Sequence, residues 1–385
     1  MILSLAVYTG TAIVMALLGW HVGWREQRLR AIKGGAELPF LSWEIVAALL
    51  VYIAVSSARW LTSWDYNMYY SYYVSLQSLN DFSRENFEPG FHFVTWAMGR
   101  LGLSYVFYFA LWAALHIVLL YYALRHRKFL LPWIALCIML GPYYVQWMST
   151  LRQTVVECLF VLMVELIVRR RFWWYLALTL LAMSLHKMSI LLLPLYLVPR
   201  IPVTTGRRWL PYALLGLCVL LGAFPQWIQW CFDKVGQVLT MVGYGHYYRL
   251  SASNASFAFR FVFGPTRLFP LLTGIMIIWY YPAIKQMFAG DRCLPATYRF
   301  MLLNLGYINL MANTTQYIIR PGDLMRCMTL VMICYAMCYL WRTRRWLPLA
   351  AICALNFYYI YYEIYKAVMV KGSIYTPELY HTFLF

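Results

Sequence analysis

SYVFYFALWAALHIVLLYYALRHRK, residues 104–128, is a run of 21 residues without a charge, followed by four basic or titratable ones. About 20 apolar residues in helix cross the hydrocarbon core of a bilayer. Basic residues gather on the cytoplasmic side of such a crossing. Ser104–Leu124 therefore reads as a transmembrane helix that starts outside and ends at Arg125, His126, Arg127 and Lys128 inside. The composition agrees: of 385 residues, 63% are hydrophobic and only 12% charged, against about 25% charged in soluble domains. A barrel would need alternating polar and apolar residues, which these runs lack. The formal charge of +18 sits in short clusters between apolar runs, which is topology and not a nucleic-acid face.

Working outward with the same rule gives an all-α polytopic protein. Ile2–Trp20 precedes Arg25, Arg28, Arg30 and Lys33 and reads as a retained helix, not a signal peptide. Phe40–Ala58 returns outward. Residues 59–103 then form an outer-face segment, in which 91–102 is too short for an independent crossing and reads as a re-entrant helix. Leu130–Trp147 goes out and Leu151–Val168 returns to Arg169, Arg170 and Arg171. Residues 172–199 lie between two basic groups, so they form a pair of short helices or a hairpin with His186 and Lys187 at its tip. Trp209–Phe224, Thr266–Ile284, Ala296–Thr314, Leu324–Leu340 and Leu347–Tyr362 alternate thereafter. The expected total is about 11 full transmembrane helices plus short or re-entrant ones, in a single transmembrane domain over 1–385. Residues 226–265 form a large outer-face loop, and 366–385 an outer-face tail. Nine cysteines show no metal-ligand spacing and read as small buried apolar residues.

The outer segment RWLTSWDYNMYYSYYVSLQSLNDFSRENFEPGF, residues 59–91, carries four of the fourteen carboxylates: Asp65, Asp81, Glu85 and Glu88. Charge is costly near hydrocarbon, so this concentration points to a site. Arginines 84, 152, 249, 260, 320 and 326 also fall outside, against the positive-inside bias. Scattered arginines suit a phosphate or pyrophosphate anion, since guanidinium forms bidentate bonds and never loses its charge. The plainer reading is salt bridges to Asp65, Glu85, Glu88 and Asp323. Arg152 and Gln153 open a helix, whose start favours anions. Asp65, flanked by Trp64 and by Tyr66 and Tyr69, suits a sugar site or a capped helix in an aromatic belt. Glu88, before Pro89-Gly90, suits a helix cap equally well. His186 beside Lys187 and Ser189 is a packed histidine or a functional one. Glu157 and Glu165 read as structural partners of arginines. No HExxH, paired-cysteine or carboxylate cluster suggests a metal, and no P-loop suggests nucleotide chemistry.

Trp64-Asp65-Tyr66-Asn67 with Tyr69-Tyr70, then Glu88-Pro89-Gly90-Phe91, Leu151-Arg152-Gln153, His186-Lys187-Met188-Ser189 before Leu193-Pro194-Leu195-Tyr196, and Arg320 with Arg326 follow one another in an order that resembles the EpsG family of Wzy-like exopolysaccharide and O-antigen polymerases. The resemblance implies a GT-C-like inner-membrane glycosyltransferase facing the periplasm or outer side, without cofactor or metal. It implies transfer of a glycan from an undecaprenyl-pyrophosphate carrier to the non-reducing end of another lipid-linked repeat unit. A flippase and a chain-length regulator of the same pathway would be its partners. With it, catalysis falls to Arg152 on the pyrophosphate, to Asp65 or His186 as base or acceptor-orienting group, and to Glu88 beside them. Substrate contacts fall to Trp64, Tyr69, Gln153, Lys187, Arg320 and Arg326, and the sorting of outer-face arginines adds Arg84, Arg249 and Arg260. The alternatives are an O-antigen ligase or another lipid-carrier glycosyltransferase, then a lipid-linked sugar exporter or a membrane O-acyltransferase.

Overall fold

The computed structural model describes residues 2–32, 37–78, 87–200, 207–224, 226–227, 230, 264–314, 316–370 and 379–382. Described residues are helical almost throughout, with one isolated β-bridge, Arg59 to Thr382. The chain forms two compact units, one of residues 1–193 with 333–385 and one of residues 194–332.

The first unit opens with α1 (Ile2–Ile32), α2 (Trp43–Ser57), α3 (Tyr66–Ser78), α4 (Pro89–Arg100) and α5 (Tyr105–Ala123). It continues with α6 (Leu131–Leu140), α7 (Tyr143–Ser149), α8 (Leu151–Val168) and α9 (Phe172–Leu185). The second unit holds α10 (Leu210–Ala223), α11 (Pro265–Met287), α12 (Leu294–Leu310) and α13 (Gln316–Asp323). Helix α14 (Arg326–Arg342) runs from the second unit back into the first, which α15 (Trp346–Tyr365) completes. Within the first unit α1 packs on α6 and α2, α5 on α2 and α8, and α4 on α3 and α9. Within the second, α12 packs on α10, α11 and α13.

Among the described residues four helices are long and apolar enough to cross a membrane: Ile2–Ile32, Tyr105–Ala123, Pro265–Met287 and Trp346–Met369. A fifth is reached if the bent pair Lys128–Leu140 and Tyr143–Ser149 is one span. Trp43–Ser57, Phe172–Leu185 and Leu210–Ala223 are apolar but shorter. The architecture is thus that of an all-helical membrane protein, and the expected eleven crossings go beyond what these lengths establish.

Three elements differ from expectation. Helix α1 runs on to Ile32 because Glu26 and Arg30 pair one turn apart, 3.0 Å. The basic residues near its end are not bare topology signals. Arg25 and His21 both hold the buried Glu44, at 2.5 and 2.8 Å, and the buried Lys128 reaches Glu26 at 3.3 Å. The expected straight crossing Leu130–Trp147 bends by 68° between Leu140 and Tyr143. Gly141-Pro142 lies at the bend, where Pro has no N–H to continue the helical ladder. Finally, residues 66–78 are a helix and not loop. Tyr66, Tyr69, Tyr73 and Leu76 are all buried, a three–four spacing that makes one apolar stripe.

Helix α8 gives the first unit its two ends. Its last turn carries Glu165, paired with Arg125 at 2.8 Å and Arg169 at 2.6 Å. Its first turn carries Arg152. Eighteen helical residues span about 27 Å, so the basic end and the Arg152 end are a membrane's core apart.

Candidate functional site

Glu88 is the residue on which the predicted positions converge. It stands at the amino end of α4, where its carbonyl accepts the His92 N–H at 2.9 Å. Pro89 fills the first helical position, where a missing N–H costs nothing. The Glu88 side chain does not cap α4. It turns to stronger partners: Oε2 takes an ion pair from Arg152, and Oε1 accepts the Lys187 backbone N–H at 3.1 Å. His186 Nδ1 lies 3.5 Å from the same Oε1. Residues 88, 152, 186 and 187, read separately along the sequence, thus meet at one carboxylate.

Local chemistry explains the meeting. A Cβ on Gly90 would fall 2.8 Å from the Ser184 carbonyl oxygen. Only glycine therefore lets α4 press against the end of α9 at this depth. Helix α9 stops at Leu185, and His186 takes an extended conformation (φ −153°, ψ 112°) before a tight turn from Lys187 to Leu191. That break frees the Lys187 N–H for Glu88. Ser189 closes the break by donating to the Ala182 carbonyl at 3.2 Å. The expected interruption at His186-Lys187 is what the structure shows.

Arg152 lies between the Phe87 and Phe91 rings, 4.7 and 5.1 Å from their centroids, an arrangement in which ring faces attract the cation. The Tyr69 hydroxyl also acts on this guanidinium. The buried Arg152 Nε and the His186 Nε2 have no hydrogen-bond partner among the described residues, while His186 Nδ1 lies against the Glu88 carboxylate. Glu88 lies in the connection before α4, outside the spanning helices. Burial pushes its carboxyl up, but His186, Arg152 and the Lys187 N–H outweigh that and bring it down to about 2. The cluster is a charged, partly unfilled set of donors around one fixed carboxylate.

Other predicted residues fall elsewhere. Gln153 is buried and donates to Glu157 at 3.1 Å, one turn along α8, so it supports the helix. Tyr69 is 2% exposed and packs edge-on against Phe91. Its ring belongs to the aromatic core with Tyr66, Tyr73, Tyr108 and Trp112, and a sugar could not stack on it. Trp64, by contrast, is 62% exposed. Asp65 is half-buried at the start of α3, where its carbonyl accepts the Tyr69 N–H at 3.1 Å. Lys187 points outward while its backbone serves the site. In the second unit, Arg326 pairs with Asp323, as the plainer reading of the arginines expected. Arg320 is half-buried on α13. Arg84, Arg249 and Arg260, with Asp81 and Glu85, most of the 226–265 loop and most of the tail, lie outside the described residues.

Arg59 went unassigned in the sequence. It is wholly buried, and its Nη1 donates to Ser63 Oγ at 3.0 Å and to the Thr62 and Met148 carbonyls at 3.2 Å. Its guanidinium lies 4.5 Å from the Phe109 ring centroid, and no carboxylate pairs with it among the described residues. The loop around it is held in left-handed backbone at Leu61 (φ 52°) and Ser63 (φ 90°), conformations that non-glycine residues adopt only when surroundings impose them. Ser63 Oγ in turn donates to Met148 O at 3.0 Å, four residues before Arg152. The sequence signal was present: an arginine just past α2, at the end expected to lie outside, where positive charge is disfavoured.

The family model of the EpsG family, polysaccharide polymerase-type membrane proteins, matches residues 43–375. Neither a curated protein nor a solved structure matches the chain significantly.

Proposed function

The chain belongs to the EpsG family, and from that premise we propose that it is a metal-independent glycosyltransferase of polysaccharide polymerisation. It would take a glycan from an undecaprenyl-pyrophosphate carrier and join it to the non-reducing end of another lipid-linked repeat unit. The observation that carries the reading is the Glu88 cluster, with a fixed cation and a histidine beside one ionised carboxylate.

The acceptor hydroxyl oxygen forms the new bond to the anomeric carbon of the donor. The bond from that carbon to the pyrophosphate oxygen breaks, and its electron pair leaves with the lipid pyrophosphate. Direct displacement of this kind inverts the anomeric centre. Arg152 stabilises the charge that develops on the leaving group. A fixed donor in a site poor in water is worth far more than one in bulk solvent. Glu88 prevents Arg152 from swinging away and so sets where the anion must sit.

The acceptor proton needs a base. Glu88 beside Nδ1 favours the tautomer with hydrogen on that nitrogen, which leaves Nε2 of His186 as the basic atom. His186 is therefore the base in this reading. Asp65, with the exposed Trp64 before it, orients acceptor sugar hydroxyls. Arg320 and Arg326 are proposed anion-binding residues of the second unit. The basic clusters support a site that faces the periplasm or outer side, and a plasma-membrane location is part of the same proposal.

The test is incubation of the purified protein with one defined undecaprenyl-pyrophosphate oligosaccharide. A ladder of products differing by one repeat unit is expected. Transfer of a single unit to a lipid A core acceptor, with no ladder, would identify a ligase instead.

A further inference from the structure

The basic end of the first unit contains a cleft of about 670 Å³ that the polymerase reading does not use. It is formed where α1, the start of α6 and the end of α14 meet. Five indoles line it, Trp24 among them, and four of these form a cluster: Trp341 lies 5.0 Å from Trp20, 5.9 Å from Trp133 and 5.2 Å from Trp346, centroid to centroid. Trp20, Trp341 and Trp346 are each exposed, at 42, 39 and 53%. The floor exists because Gly19 brings α1 against α6. A Cβ there would fall 2.8 Å from the Pro132 backbone nitrogen.

Two arginines border this cleft, Arg342 and Arg344. Arg342 rests 5.1 Å from the Phe129 ring centroid. Arg344 is exposed, in left-handed backbone (φ 56°), and pairs with no carboxylate among the described residues. The carboxylates described nearby on α1 and α2 are committed to other cations, Glu26 to Arg30 and Lys128, and Glu44 to His21 and Arg25. Among the described residues no acidic side chain lines the cleft.

We propose that this cleft is a binding site for one anionic glycerophospholipid. Exposed indoles at the end of spanning helices match the depth of headgroups and upper acyl chains, where amphipathic rings settle. Two arginines at the rim of the same cleft supply the complement to a phosphodiester, and basic pockets between transmembrane helices bind acidic headgroups in this way. A free anion would use the arginines but not the indole wall. A neutral lipid would use the wall but leave the Arg344 charge unanswered. The site lies at the far end of α8 from Arg152, so it stands or falls independently of the polymerase reading.

The experiment uses the purified full chain in detergent, with dioleoyl phosphatidylglycerol, dioleoyl phosphatidylcholine and inorganic phosphate as separate probes. Bound lipid is read by native mass spectrometry and the thermal midpoint is read alongside. Phosphatidylglycerol is expected to be retained and to raise the midpoint. The double variant R342Q/R344N should lower its apparent affinity about thirtyfold, two surface charges' contribution. Asparagine at position 344 tolerates left-handed backbone. Should the double variant not fold, R344N alone decides, with about a fivefold loss expected. Equal retention of phosphatidylcholine, an equal midpoint shift with inorganic phosphate, or a folded variant that binds phosphatidylglycerol like the parent would each overturn the proposal.

Discussion

Replacing Glu88 by Gln isolates the charge at the centre of the cluster. The amide keeps the shape and can still accept the Lys187 N–H, but it no longer pairs with Arg152 or draws on His186. Glu88 is held at about 2 against an ordinary 4.5. A depressed carboxylate stabilises the fold above its unfolded value, and that contribution disappears as pH falls toward the folded one. The difference is worth at most about 3.4 kcal/mol at 1.36 per unit. Arg152 is 18% exposed, so screening by water lowers this to about 2–3 kcal/mol. Glu88→Gln should therefore be less stable than the parent by that amount at pH 7. The gap should hold down to about pH 5, shrink to roughly two-fifths at pH 3, and close near pH 2. Other groups titrate in both proteins and cancel in the difference. Thermal midpoints of parent and variant in the same detergent, measured from pH 7 to pH 3, read the gap directly. A gap that is absent at pH 7, or as large at pH 3 as at pH 7, would refute the assignment of Glu88 as an ionised partner of Arg152.

Arg152→Ala should abolish polymer formation while the protein stays folded in the membrane; Arg152→Lys should recover part of it, because charge returns without the fork that Phe87 and Phe91 hold. Normal-length polymer from a stably expressed Arg152→Ala protein would remove Arg152 from the leaving-group role. Asp65→Asn should slow turnover of purified lipid-linked repeat units more than it weakens donor binding, and an unchanged rate would exclude Asp65 from the acceptor site. Gly90→Ala should cost about 1–3 kcal/mol in stability and separate Glu88 from His186, since its Cβ would fall 2.8 Å from the Ser184 carbonyl oxygen. A lower thermal midpoint together with loss of polymer is the expected pair, and an unaltered midpoint would show that α4 and α9 are not in such close contact.

Much of this arrangement was legible in one dimension because charge is scarce. In a chain with 12% charged residues, each polar residue off the basic clusters must be answered, and Glu88, Arg152 and His186 answer one another. That 91–102 makes no independent crossing also follows from arithmetic: α4 has 12 residues, about 18 Å of helix, too short to span a bilayer. What the sequence concealed has physical causes too. Tyrosine serves both a core and a sugar platform, so Tyr66 and Tyr69 beside Asp65 suited either reading until their burial was known. The Glu88 side chain could cap α4 or leave it, and only the approach permitted by Gly90 decides for Arg152. Gln153 sits next to Arg152 in sequence, yet neighbours on a helix point about 100° apart, and it turns to Glu157. Arg59 was hidden for a different reason, since its partners are two carbonyl oxygens, a hydroxyl and a ring, with no carboxylate among the described residues to flag it.

The loop that holds Arg59 has a timetable. Thr62 Oγ1 donates to the Leu379 carbonyl at 3.2 Å and accepts the His381 N–H at 3.0 Å, and the Trp60 N–H donates to the His381 carbonyl at 2.8 Å. Thr62 and Leu379 are 317 positions apart. At 5–20 residues per second, a ribosome reaches Leu379 about 15 to 60 s after Thr62. During that interval α3 to α15 are made, while the backbone from Trp60 to Thr62 waits for the segment that bridges it. The Arg59 guanidinium meets Ser63 and Met148 early, and the bonds of Trp60 and Thr62 to the tail come last. Closure of this corner therefore waits on translation, and a chain halted before residue 379 would carry α1 to α15 without it.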